Sequence, residues 1–217
     1  DRSEGDELVG VAPCNASDDV LLATRDGKAI RFTIDPAVRV FTGRDSTGVR
    51  GIKLLGNDLV VSMSIITDPD REFVLSVTEN GYGKRTAVGD YRQTGRGGQG
   101  VANIETSERN GRVMASFTVL EEDQLMLVTN EGQIIRIRVH GGEGDSIRVA
   151  GRKTQGVRLF DVSGGKDEKV VSAGLIRDAD DEDDDGDDET AEGGAGVAAE
   201  ASAEEMPAGE ASALSLI

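Results

Sequence analysis

The chain has 217 residues and a formal charge of −17, with a single cysteine, Cys14, and no run of 18 apolar residues. These features exclude a membrane-crossing helix and an internal disulfide, and a lone thiol fits a reducing, cytoplasmic setting. The charge is split in two. All 24 Lys and Arg lie at or before Arg177, where they meet 26 acids, whereas the other 15 acids fall in 178–217 without one basic residue.

The opening residues, DRSEGDELVG, lack the basic and apolar regions of a secretion signal. They start at Asp1, so the sequence reads as part of a longer chain. A short β run at 5–11 is followed by VLLATRDGKAIRF (20–32), two apolar runs about a turn ending in Asp26-Gly27. Asp-Gly is a strong hairpin signal, because a type I′ turn needs positive φ at both central residues. A glycine-centred block, GRDSTGVRGIKL (43–54), and a closing run, NDLVVSMSII (57–66), complete the unit.

The same order then recurs. FVLSVTENGYGKRT (73–86) turns at Asn80-Gly81, GRGGQGVANI (95–104) supplies the glycine block, and RNGRVMASFTV (109–119) closes the second unit. LMLVTNEGQIIRI (125–137), GRKTQGVRLF (151–160) and KDEKVVSAGLI (166–176) make the third. The turn glycines Gly27, Gly81 and Gly132 are 54 and 51 residues apart. About four short strands per 50 residues at a fixed period predicts an all-β, propeller-like fold over 1–177. The third unit is longer at 140–146, which predicts a surface loop carrying His140, the only histidine.

Arginines keep the period. Arg31, Arg85 and Arg136 stand four residues after the turn glycines, and Arg44, Arg96 and Arg152 four residues before the central glycines Gly48, Gly100 and Gly156. Arg50, Lys53, Lys84, Arg92, Arg138, Arg148, Lys153 and Arg158 cluster beside them. A basic track on a nearly neutral body predicts contact with nucleic-acid phosphates. Few aromatic residues favour a duplex over single strands, and few base-reading groups favour binding independent of sequence. Gly95-x-Gly97-x-x-Gly100 matches a dinucleotide fingerprint, but the all-β context lacks the helix such a site requires.

The tail, 178–217, is rich in Asp, Glu, Ala and Gly and is expected to stay disordered, either as a solubilising segment or as a polyanion competing for the basic track. Asp181, Asp183, Asp185, Gly186 and Glu192 satisfy a calcium-loop pattern. The flanking helices of such a loop are missing, so no metal site is assigned.

TGVRGIKL (47–54), NGYGKRTAVGDY (80–91), SERNGRVM (107–114) and VAGRKTQGV (149–157) resemble the C-terminal domain found in the A subunit of DNA gyrase. The resemblance implies a β-pinwheel of six blades with strands exchanged between them, of which this chain supplies blades four to six. It also implies wrapping of duplex DNA, in support of negative supercoiling by an A2B2 assembly that includes the gyrase B subunit. In that assembly the catalytic tyrosine and the site for ATP and Mg2+ lie outside this segment. The corresponding C-terminal domain of topoisomerase IV and a protein-interaction propeller are the alternative readings.

Overall fold

The computed structural model describes residues 7–40, 48–141, 146–162 and 167–176, together with the backbone of 212–215. Each sequence repeat builds one antiparallel blade. In the first, β2 (Asp19–Thr24) pairs with β3 (Lys28–Thr33) on one side and β4 (Val60–Ile66) on the other. The second repeats the pattern with β5 (Phe73–Thr78), β6 (Tyr82–Ala87) and β8 (Val113–Val119), and the third with β9 (Gln124–Thr129), β10 (Ile134–Arg138) and β12 (Val170–Ile176).

The fourth strand of a blade comes from the repeat that follows it. β7 (Val101–Ala102) pairs with β3, and β11 (Val157–Arg158) pairs with β6, giving the sheet orders β4-β2-β3-β7 and β8-β5-β6-β11. This is the strand exchange of a pinwheel, observed directly. β10 has no such partner among the described residues, and its blade has three strands.

The turns differ from the expected two-residue form. The Gly27 amide donates to the Thr24 carbonyl at 3.1 Å, and Gly81 and Gly132 donate equivalently to Thr78 and Thr129. β2 ends at Thr24 and β3 begins at Lys28, so the hairpin loop spans the three residues 25–27, with the glycine as the left-handed third. That geometry needs positive φ at one position only. The preceding threonine supports it, since the Thr24 and Thr129 hydroxyls accept the amides of Lys28 and Gln133.

Glycine is required at these turns for a second reason. A Cβ on Gly27 or Gly81 would overlap the carbonyl oxygen of Ile104 or Phe160 in the next repeat. Gly100 and Gly156 pack as closely against the Ala29 and Gly83 carbonyls of the repeat before. Glycines therefore set the blade spacing from both sides. At Gly132 and Gly48, at the two ends of the array, an added Cβ would meet no atom of the described residues.

Apolar clusters fill the gaps between blades. Leu21, Ala23 and Ile66 meet Val74, Val88 and Tyr91 between the first and second, while Leu75, Val77 and Val119 meet Leu125, Leu127 and Val139 between the second and third. Each fully buried Val or Leu contributes about 1.5–3 kcal/mol. A polar knot lies within this packing. The Tyr91 hydroxyl and Ser76 Oγ both donate to Asn103 Oδ1, whose amide reaches Ser116, and all four side chains are buried.

β1 (Val11–Cys14) precedes the first blade and pairs antiparallel with β13 (Ser212–Ser215). An unpaired strand edge offers free amides and carbonyls, and Ser-Ala-Leu-Ser carries neither charge, Gly nor Pro to oppose pairing. The calcium-loop residues 181–192 lie outside the described residues, among which no three His, Cys, Asp or Glu converge as metal ligands. His140 is exposed, with Nδ1 at 3.1 Å from Ser146 Oγ, beneath a hydrogen bond from the Ile147 amide to the Val139 carbonyl.

Candidate nucleic-acid interface

The glycine blocks form loops that touch from blade to blade. The Lys53 amide donates to the Gly98 carbonyl at 2.8 Å, and the Gly97 amide to the Gly51 carbonyl, so loop 50–53 lies against loop 95–100. Arg152 then donates to the Ala102 carbonyl at 2.9 Å, and the Glu105 amide to Thr154, joining the third loop to the second. Backbone bonds and the Arg152 side chain thereby connect the three loops as one ribbon, the third meeting the second just past its glycines, at Ala102 and Glu105. The ribbon carries Arg50, Lys53, Arg96 and Lys153 exposed and Arg152 half-buried. Arg96 reaches back to the carbonyls of Ala37 and Arg50 at 2.6 and 3.3 Å, which orients its guanidinium along the ribbon.

The other expected contacts separate into two groups. Arg92, Arg136, Arg138, Arg148 and Arg158 are exposed, while Arg44 lies outside the described residues. Arg31, Arg85 and Lys84 are buried, at 8, 4 and 0% exposure, and this corrects their assignment to the surface track. Arg31 Nε donates to Asp19 at 2.7 Å, and its Nη1 to the carbonyls of Val88 and Tyr91 in the next blade. Arg85 does the same one blade later, donating to the Ile147 carbonyl and pairing with Glu121 at 3.1 Å. Lys84 Nζ donates to the carbonyls of Gly151 and Arg152.

These cations join blades. The next repeat lies along β3 and β6, and its carbonyls take up the donors that would otherwise face water. Arg136 holds the equivalent place on β10, where no following repeat covers it, and it stays exposed with Nε on Gln124 at 2.6 Å. The same sequence position is therefore interior or surface according to whether a neighbouring blade is present.

Burial would raise the Asp19 carboxyl, but hydrogen bonds from Gln93, Thr33 and Arg31, with the charge of Arg31, hold it below its ordinary range. Lys84 is pushed down to about 8, first by burial and then by nearby Arg152, with Asp90 opposing. Tyr91 moves up, again chiefly by burial. Below pH 8 the folded chain bears the cost of a buried ammonium. Between about 8 and the 10.5 of a free lysine, the folded state gives up that proton while the unfolded state keeps it, so stability rises with pH. Past 10, the normal value for tyrosine, unfolding frees the Tyr91 phenol to ionise, and stability falls. Denaturant unfolding across this range is expected to show a maximum near pH 10, with the rising limb absent in Lys84→Met. A wild-type profile that falls steadily from pH 8 would contradict this.

One surface group was not legible from the repeat. Arg109, outside the periodic set, stacks on Tyr82 with its guanidinium carbon 4.8 Å from the ring centre, and Arg158 approaches the same ring at 5.8 Å. Only the turn that brings 109 beside 82 reveals the grouping.

Residues 18–67, 72–119 and 123–177 each match the family described as DNA gyrase C-terminal domain, beta-propeller. The DNA gyrase A subunit of Salmonella typhimurium (strain LT2) is 44% identical over 212 residues, covering 96% of this chain and 23% of that protein. Its counterpart in Granulibacter bethesdensis is 38% identical over 228 residues, covering 78% and 24%. The chain thus spans about a quarter of the length of these curated relatives. Among solved structures, a DNA topoisomerase IV C-terminal domain aligns with a TM-score of 0.65 at 25% identity, over 74% of this chain and 47% of that one. A DNA gyrase A C-terminal domain aligns with a TM-score of 0.63, also at 25% identity, over 74% and 51%.

Proposed function

Because the chain belongs to the DNA gyrase C-terminal, β-propeller domain family, we propose that its ribbon of glycine-block loops binds duplex DNA by its phosphates and bends it from blade to blade. The observation that carries this reading is the continuous hydrogen-bonded path through loops 50–53, 95–100 and 152–154, with a cation on each. Bending a site of 20–30 base pairs by 40–90° costs on the order of 1–6 kcal/mol. Contacts spread over three blades offset that cost where one patch would not. The curve presented to the duplex is set by blade spacing, hence by the interblade glycines and by Arg31 and Arg85 acting from inside.

In this reading the segment supplies the wrapping surface of the gyrase A protein in a cytoplasmic type IIA topoisomerase. Negative supercoiling is the work of the A2B2 assembly, with ATP and Mg2+ used elsewhere in it. The acids of 178–217 compete with phosphates for the loops. Among the described residues no helix is long and apolar enough to cross a membrane.

A salt titration tests the reading. Five phosphate contacts, from Arg50, Lys53, Arg96, Arg152 and Lys153, predict that log K falls with log salt at a slope of about −4.5. A slope near −1 on a nonspecific duplex would sink the proposal and leave a protein-interaction propeller as the better account. Removal of 178–217 is expected to tighten binding at low salt, with the gain fading as screening rises. Equal affinity with and without those residues would confine them to solubility.

A further inference from the structure

Beyond the loop ribbon, the outer strand pair of the middle blade holds a compact group of donors. Tyr82 and Arg158 are directly paired between β6 and β11. Arg158 Nη2 lies 3.4 Å from the Tyr82 hydroxyl, and Arg109 covers the ring and donates to the Gly156 carbonyl at 3.4 Å. Both arginines are exposed, and among the described residues the only carboxylate on them is Asp161, 3.5 Å from Arg158 Nη1. An exposed pair of that kind contributes little and is easily exchanged.

We propose that Tyr82, Arg109 and Arg158 form a separate phosphate-binding site, which takes a backbone phosphodiester of the duplex as it leaves loop 151–156. This rests on the DNA reading above, adds Tyr82 and Arg109 to it, and gives Arg158 of the third glycine block its partners. Three arguments support it. A guanidinium has five N–H groups in a planar fork suited to phosphate oxygens, and most of those on Arg109 and Arg158 are not used by neighbouring groups in the described residues. Stacking on one phenol fixes both forks before any ligand arrives, so little side-chain entropy is left to lose on binding. The ring is already flanked by the two cations, so it acts as a support for them and offers no free platform for a base.

Position completes the case. Gly156, which receives Arg109, closes the third glycine block, and β11 begins at the next residue. The site therefore continues the ribbon outward at the junction of the second and third blades. At the equivalent place one junction earlier, Lys28 pairs with Ala102, and no such grouping exists. The junction of the second and third blades becomes the firmest point of the path.

Tyr82 also supplies a reporter. The hydrogen bond from Arg158 comes first in holding its phenol below the ordinary value; desolvation opposes it next, and the charges of Arg158 and Arg109 lower it further against that of Asp161. A phosphate seated between the forks adds negative charge and must raise it. The chain has two tyrosines, and Tyr91 is buried, so carbon-13 NMR of labelled tyrosine follows Tyr82 alone in the accessible range.

The experiment uses the full chain and a nonspecific duplex. With these two contacts added to the five of the loops the wild-type slope steepens to about −6.3, and Arg109→Ala and Arg158→Ala are each expected to make it shallower by about 0.9. Saturating duplex is expected to raise the Tyr82 ionisation in the wild type, and less so in either variant. A wild type that fails to bind DNA refutes the function reading. A wild type that binds steeply, with variant slopes and Tyr82 ionisation unchanged, refutes this site alone. Inorganic phosphate replaces the duplex in a parallel arm. If it moves Tyr82 as far at the same phosphate concentration, the site is a general anion site and the duplex assignment falls.

Discussion

Gly81→Ala is expected to destabilise the chain by about 3 kcal/mol, whereas Gly132→Ala, at the same repeat position, costs only about 1 kcal/mol. Both residues have positive φ, 75° and 84°, so both pay for a side chain in the left-handed region. Only Gly81 has a neighbour. A methyl there would overlap the Phe160 carbonyl, a backbone atom held by its own amide's bond to the Gly81 carbonyl. At Gly132 a methyl would meet no atom of the described residues. Denaturant midpoints of the two variants separate the conformational cost from the cost of forcing blades apart. Equal losses would show that the blade contact gives way freely, and would remove glycine as the element that sets the curvature.

The second large effect is expected at Arg31. Arg31→Ala leaves Asp19 buried with Gln93 and Thr33 but without its counter-charge, at a cost of about 3 kcal/mol, the lower end of the range for breaking a buried pair. It also strips the Val88 and Tyr91 carbonyls of their donor. The double variant Arg31→Met with Asp19→Asn should recover much of that loss, because no charge then remains buried. Arg96→Ala, by contrast, is expected to change stability by less than about 0.5 kcal/mol and to weaken DNA binding. If Arg31→Ala leaves the unfolding midpoint unchanged, the buried arginine is not a blade joint.

Much of this architecture was legible in the sequence. The period, the three hairpins, the recurring glycine blocks and the even spacing of arginines all follow from residues that physics ties to one place in a blade, whereas the exchange of strands came only with the family resemblance. Which way each arginine faces did not follow from spacing. Arg31 sits between Ile30 and Phe32 in a strand buried on both faces, and both faces are covered only because a later repeat folds back along β3. An acid at the start of a first strand, such as Asp19, was a visible hint of interior partners. The period alone ranked Arg31 with Arg96, though one lies within a strand and the other in a loop. The hairpin turn was misplaced by one residue for a similar reason, because the threonine at its start supports a longer loop that the Asp-Gly pair does not announce.

The borrowed strands have a mechanical meaning. Since β7 belongs by sequence to the second repeat and by pairing to the first, and β11 stands likewise one step along, a pull on either loop loads two sheets at once. Adjacent units are therefore coupled as links that share a pin, and a duplex straining against the ribbon meets resistance summed over the array, with no single hinge at which it could yield.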